Sequence, residues 1–203
     1  TGSTQYGTHH SPYKHTISGN SIYAKYDFGF WDILAWNYID TPDGVQSVRI
    51  DETSTYDYVT AYTGQTMNPS SYNAPHFTHS FYQPEELFSS YEKGIDINKN
   101  LEGFIFDEER NCWVRTLETQ LQPLTYIYLV QVILHHNNRN GRKVTSIDGN
   151  ANFSGMARSV NVNTGVTGTD AITVNFYMRM KQDVTDKKGE TVDVIGGKAL
   201  TFG

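Results

Sequence analysis

Cysteine is almost absent from this chain: Cys112 is the sole thiol in 203 residues, so no intramolecular disulfide and no cysteine-built zinc site can form. Charge is sparse as well. Charged residues make up 19% of the chain, and 16 Lys and Arg against 22 Asp and Glu leave a net charge of −6. No basic run offers a footprint for a phosphate backbone, which excludes nucleic acid as an expected partner. Long hydrophobic runs are missing too. The longest uncharged apolar stretch, Leu124 to Leu134, is interrupted by Gln131 and is too short to cross a hydrocarbon core of about 30 Å as a helix. The sequence opens Thr1-Gly2-Ser3-Thr4-Gln5-Tyr6, with neither an initiator Met nor an apolar leader, and is expected to be a trimmed form of something longer.

Aromatics, in contrast, are plentiful: 14 Tyr, 10 Phe and 3 Trp. That composition argues for a folded, β-leaning protein long enough to bury a core without staples. Charge divides unevenly, with five Lys/Arg against twelve Asp/Glu in residues 1 to 105 and eleven against ten in residues 106 to 203. Two units are expected, with the boundary near residue 105 and the hinge in Gly103 to Asn111. Gln83 to Gly94 carries Pro84 at a helix start, Glu85 and Glu86 in the first turn, and Lys93-Gly94 at the end, a short-helix signature.

Strand signals dominate elsewhere. Ile22 to Asp27, Phe30 to Tyr38, Val45 to Ile50 with an irregularity, and Tyr56 to Tyr62 are expected strands of the first half. Trp113 to Glu118, Leu124 to His135, Asn152 to Asn161, Ala171 to Lys181 and Lys198 to Phe202 follow in the second. Asn140-Gly141 predicts a hairpin turn into Lys143 to Ile147. Short strands, frequent turns and almost no helix indicate antiparallel β-sandwiches.

Motifs for chemistry are weak. Asp96-Ile97-Asn98-Lys99-Asn100 imitates the start of a calcium loop, but Leu101 stands where the sharp turn needs glycine and Asp107 where a bidentate glutamate belongs. His135 and His136 are adjacent on a strand end and point to opposite faces, so they cannot share a metal. His9, His10, His15, His76 and His79 read as loop histidines. Ser154 lacks the glycine two residues earlier that a nucleophile elbow requires, and Gly165 and Gly168 lack the Lys-Ser/Thr of a phosphate loop. The expectation is a protein that is not an enzyme, with no catalytic residue, no metal ligand and no cofactor.

The aromatics are more informative, since Tyr and Trp combine a flat apolar face with a hydrogen-bonding edge. Trp31, Trp36, Trp113, Tyr126 and Tyr128 are expected in the core. Tyr56, Tyr58, Tyr62, Tyr72 and Tyr82 are the candidate surface binding residues, and they keep a glycan-binding surface lipoprotein open as the alternative function.

Tyr26-Asp27-Phe28-Gly29-Phe30-Trp31-Asp32-Ile33-Leu34-Ala35-Trp36-Asn37 resembles a motif of the fimbrillin-like surface lipoproteins of Bacteroidetes. Ser154-Gly155-Met156-Ala157 is similar to an element in the second domain of their type V pilus anchor and accessory subunits. The resemblance covers about residues 20 to 203. It implies two tandem transthyretin-like β-sandwiches, residues 1–105 and 106–203, with one short helix between them and the first strand missing from the amino-terminal sandwich. The implied function is a structural, adhesive subunit of a cell-surface fimbrium that serves adhesion or biofilm formation. It would sit at the outer membrane, held only by a lipid anchor upstream of this chain. Family members begin with a signal peptide and a lipidated cysteine; Cys112, in mid-chain, cannot be that cysteine. A sandwich short of one strand exposes unpaired backbone groups beside an apolar groove, which another subunit's strand can fill. The expected partners are other fimbrial subunits by strand addition, with surface glycans or host receptors beyond them. The amino-terminal sandwich is the expected acceptor, and Lys198, Ala199, Leu200, Thr201 and Phe202 are the candidate edge or donor strand.

Overall fold

A computed structural model describes residues 14–17, 19–37, 47–51, 58–69 and 79–203. These residues are all-β, with only a single 3₁₀ turn at Arg139–Gly141 among the named elements. Two compact units are present, and each is assembled from two stretches of chain: Thr1–Asn37 with Ser89–Gln122, and Tyr38–Phe88 with Pro123–Gly203. The boundary expected near residue 105 falls instead at the start of a β-hairpin inside the first unit. Antiparallel pairing of residues 29–36 with residues 89–97 joins the two stretches of the first unit.

In the first unit β1 (Gly29–Trp36) runs antiparallel to β6 (Phe88–Ile97), with Phe30 opposite Asp96 and Trp36 opposite Ser89. Trp31 is buried, donates from Nε1 to the Asp27 carbonyl at 2.9 Å, and packs on Tyr26 with ring centroids 4.9 Å apart. The buried Asp32 carboxylate accepts from the Gly94 backbone N–H at 2.7 Å and from the Tyr91 hydroxyl at 3.1 Å. A buried acid so bonded ties β1 to β6 where the register shifts between Trp31 and Ile33. β7 (Ile105–Asp107) and β8 (Cys112–Val114) form the hairpin where a hinge was expected. Its turn is held by Asp107, which accepts from the Arg110 backbone at 3.0 Å and from its guanidinium at 2.7 Å. These bonds hold the Asp107 carboxyl below its ordinary range.

The expected helix over Gln83 to Gly94 is not formed: residues 83–87 have no regular secondary structure and Phe88 onward is β6. The reason is tertiary. The Glu85 carboxylate, which would have served a helix start, accepts instead from the backbone N–H groups of Ser47 at 2.7 Å and Val48 at 2.8 Å. Leu87, two residues later, is fully buried, and burying that side chain contributes about 1.5–3 kcal/mol. β9 (Gln122–Pro123) completes a sheet of order β1-β6-β9.

The second unit holds a six-stranded sheet of order β10-β14-β11-β13-β5-β4 and a three-stranded sheet of order β12-β3-β2. Their strands are β2 (Val48–Asp51), β3 (Thr60–Thr63), β4 (Gln65–Pro69), β5 (His79–Tyr82), β10 (Thr125–Leu134), β11 (Asp148–Ala157), β12 (Ser159–Asn161), β13 (Ala171–Thr185) and β14 (Thr191–Phe202). The core lies among Val48, Ala61, Val160, Val162, Val174 and Phe202, all essentially without solvent contact. β13 is long enough to serve two partners: Ala171 to Arg179 pair with β11, and Met178 to Thr185 pair with β14. Where β14 leaves β13, Gly197 passes so close to the Tyr177 carbonyl that a Cβ there would overlap it. Glycine therefore permits the close approach. In the Ser154-Gly155-Met156-Ala157 element, Gly155 takes φ +84° at a bulge where the β11 register shifts between Ser154 and Met156.

The hairpin expected after Asn140-Gly141 does not form, since residues 142–147 contain no strand and β10 pairs with β14. Asn137 captures that segment. Its side-chain amide donates to the Val144 carbonyl at 2.7 Å and its oxygen accepts the Val144 N–H at 3.0 Å, satisfying the backbone groups a ladder would have used.

Candidate functional site

β10 reads Thr-Tyr-Ile-Tyr-Leu-Val-Gln-Val-Ile-Leu, β-branched and aromatic almost throughout, which is why it forms a ten-residue strand. It pairs along its whole length with β14, from Thr125 opposite Phe202 to Leu134 opposite Asp193. Along its other edge no described strand pairs with it, and it stands at the end of the sheet. Both of its faces meet solvent. Ile127, Leu129 and Ile133 alternate on one face, with Leu129 81% exposed, and Tyr126, Tyr128 and Val132 on the other are all at least two-fifths exposed.

Such an edge is unusual. Natural edge strands are kept from pairing by charge, proline, brevity or a covering element. Here no Asp, Glu, Lys or Arg occurs from Thr119 to Leu134, and Gln131 is the one amide within β10. The strand is also anchored well. Tyr128 packs edge-on against Phe153 at 5.2 Å, Phe153 meets Phe176 at 6.4 Å, and the partner residues Ala199, Leu200, Thr201 and Phe202 are buried. A rigid, paired inner edge and an open apolar outer edge are what main-chain strand addition requires.

Two sequence expectations are corrected at this point. Lys198, Ala199, Leu200, Thr201 and Phe202 form the end of β14, an interior strand: β10 pairs along their whole length, and Phe202 also pairs with Ala157 of β11. The edge next to β14, without a pairing strand among the described residues, belongs to β10 in the second unit, while β1 ends the sheet of the first. Trp113, Tyr126 and Tyr128, expected in the core, are exposed, whereas Trp31 is buried and Trp36 half-buried. Trp113 stacks edge-on with Phe106 across the β7–β8 hairpin at 5.4 Å.

Of the candidate surface tyrosines, Tyr58 is exposed, Tyr62 is half-buried in β3, and Tyr82 is exposed at the end of β5. Tyr56 and Tyr72 lie outside the described residues. The described tyrosines therefore do not form one cluster on a single strand. Tyr82 instead borders an open groove of about 650 Å³ in the second unit, which it shares with Tyr177, Asn150 and Asn175. In the imitation of a calcium loop, Asp96 accepts from the Asn98 amide at 2.9 Å and Asn98 accepts the Asn100 N–H at 2.9 Å, which makes it a self-bonded polar turn. Among the described residues, no three His, Cys, Asp or Glu side chains are grouped to hold a metal, and no helix is long and apolar enough to cross a membrane.

No family model matches the chain. No curated protein matches it either. Among solved structures the fold is similar to that of a candidate adhesin from Bacteroides ovatus, with a TM-score of 0.52 at 17% identity over 86% of this chain. The chain spans about half the length of that protein, 49%. At this identity the likeness is one of fold, and it places the chain among all-β, sandwich-like architectures.

Proposed function

We propose that this chain is a non-enzymatic, adhesive subunit of a cell-surface fimbrium, an anchor or accessory component joined to its neighbours by strand addition at β10. The observation that carries the reading is the ten-residue, uncharged outer edge of β10, exposed on both faces. Its occupant is an extended apolar segment of another surface subunit. Main-chain hydrogen bonds would supply the affinity, and alternate side chains lying beside Leu129 and Tyr128 the register. The fold likeness to a candidate adhesin, over 49% of that protein's length, supports a surface role for such a unit. A lipid anchor upstream would hold the assembly at the outer membrane.

Leu129→Lys tests this reading, because it places a charge on the open edge at a side chain that touches little in the free chain. With antibody against this chain, immunogold microscopy of the source cells should show label on filaments for the natural protein and none on filaments for Leu129→Lys, at equal total protein. Filament label unchanged by the substitution, or label on filament-free surfaces alone for both forms, overturns the proposal.

A further inference from the structure

The groove beside Tyr82 has a construction of its own. Strands β11 and β13 pair antiparallel, so residues opposite each other share a face. One face of the pair is apolar, with Ala151 opposite Phe176 and Phe153 opposite Val174. The other is a ladder of neutral polar groups: Asn150 opposite Tyr177, Asn152 opposite Asn175, and Ser154 opposite Thr173. β5 continues this face, since Tyr82 is in register with Asn175. At its inner end the ladder is closed and satisfied: Ser154 and Thr173 hydroxyls meet at 2.9 Å, and the Asn175 amide donates to the fully buried Ser80 hydroxyl at 2.8 Å. At its outer end the ladder opens into the groove. There the Asn150 amide, the Asn175 carbonyl oxygen and the hydroxyls of the exposed Tyr82 and Tyr177 remain to be used.

Charge in the groove is already committed. Glu85 holds the Ser47 and Val48 backbone, Glu86 is paired with Lys198 at 2.8 Å, and Gln83 accepts the Leu200 N–H at 3.3 Å. Beyond those committed groups the lining offers the neutral side chains of Tyr82, Tyr177, Asn150 and Asn175, and the Arg179 guanidinium lies over one face of the Tyr177 ring, 5.1 Å from its centroid. Rings of this kind pack against apolar C–H faces while their hydroxyls bond at the rim, and a carboxamide offers a donor and an acceptor side by side, which matches a pair of adjacent hydroxyls. The volume of about 650 Å³ falls within the range of ligand sites, about 300–1,000 Å³.

We infer that this groove is a binding site for a neutral oligosaccharide, with the ring of Tyr82 and the face of Tyr177 not covered by Arg179 as stacking platforms and Asn150 and Asn175 as hydroxyl readers. The inference is independent of strand addition at β10, and the two can fail separately.

The test is saturation-transfer NMR on the full chain with neutral hexasaccharides of glucose, xylose, mannose and galactose, beside a sialylated oligosaccharide, each at about 10 mM to reach weak affinities. At least one neutral sugar should show transfer to its ring C–H protons. That signal should fall at least about tenfold in both Tyr177→Ala and Asn150→Ala, the loss expected for about 1.4 kcal/mol of lost contact, while Leu129→Lys leaves it unchanged. Circular dichroism melting of each variant checks that loss of signal is not loss of fold. For a variant that melts early, Tyr177→Phe should keep most of the signal and Tyr82→Ala should lose it. The absence of transfer to any neutral sugar, transfer to the sialylated sugar alone, or transfer indifferent to Tyr82, Tyr177 and Asn150 would overturn the inference.

Discussion

Glu85 accepts the backbone N–H of Val48 through Oε2 at 2.8 Å, and through Oε1 it accepts that of Ser47 at 2.7 Å. One carboxylate thereby fastens the entry to β2 from 37 residues away. Hydrogen bonds to a charged group contribute about 1.5–3 kcal/mol each. Glu85→Gln leaves one oxygen for two donors, so it should lower unfolding free energy by about 1–3 kcal/mol. Urea denaturation of the two proteins checks this, and an unchanged midpoint would show that solvent replaces the carboxylate without loss.

The close approach of β14 to β13 gives a second prediction. Gly197 has the Tyr177 carbonyl oxygen, the Met178 side chain and the Phe176 ring around the position of an added Cβ. Gly197→Ala should therefore cost about 1–3 kcal/mol or more. Gly149→Ala, on the same sheet with nothing within 4 Å of the added carbon, should stay within about 0.5 kcal/mol. Thermal melts of the pair provide the comparison, and equal melting temperatures would refute the close approach.

Asp193 gives the pH dependence. Its carboxylate accepts from the Asn137 amide at 2.6 Å and from the Asp183 backbone at 2.9 Å, with Lys143 at 3.9 Å, and these partners hold its pKa below the ordinary 3.8. A carboxyl with a depressed pKa in the folded state contributes stability that is present above its unfolded value and is lost as pH falls through the folded one. The natural protein should therefore be more stable than Asp193→Asn at neutral pH, and the gap should close as pH drops below 3.8. A gap independent of pH over that interval would rule out the carboxylate as its source.

β10 provides the fourth. In the isolated chain Leu129→Lys should change unfolding free energy by no more than about 0.5 kcal/mol, because so exposed a side chain has little packing to lose. The same change should suppress concentration-dependent self-association, seen by sedimentation velocity, since a charge on an open edge opposes pairing. A variant that unfolds readily, or that associates as before, would show that Leu129 is not at a free edge.

How much of this was legible in the sequence depends on whether the deciding interaction was local. The strand cores of β10 and β13 are visible in their β-branched and aromatic runs, and the turn nature of Asp96 to Asn100 in its alternating Asx residues. Pro84-Glu85-Glu86 is a sound local helix start, yet the bonds that override it reach Ser47 and Val48, which no window around residue 85 contains. Tyr126 and Tyr128 were expected in the core and are exposed, because an aromatic, β-branched run carries no information on whether its faces are covered. The edge was misassigned to Lys198 to Phe202 because terminal position suggests an edge, whereas sheet order is set by which strands pair. The polar ladder of the groove did leave a signal: Asn150, Asn152 and Ser154 recur with period two, as do Thr173, Asn175 and Tyr177. Only the register of β11 on β13 turns those two stripes into one surface.

The most direct test of strand addition at β10 is photo-cross-linking in the source cells, with a photoreactive amino acid in place of Leu129 and, as a control, in place of Glu102 in the other unit. The account predicts a product at position 129 that mass spectrometry resolves into this chain joined to an extended apolar segment of another surface subunit, with no such product from position 102. Cross-links from position 129 confined to residues of the same chain, or no intermolecular product at all, would contradict it.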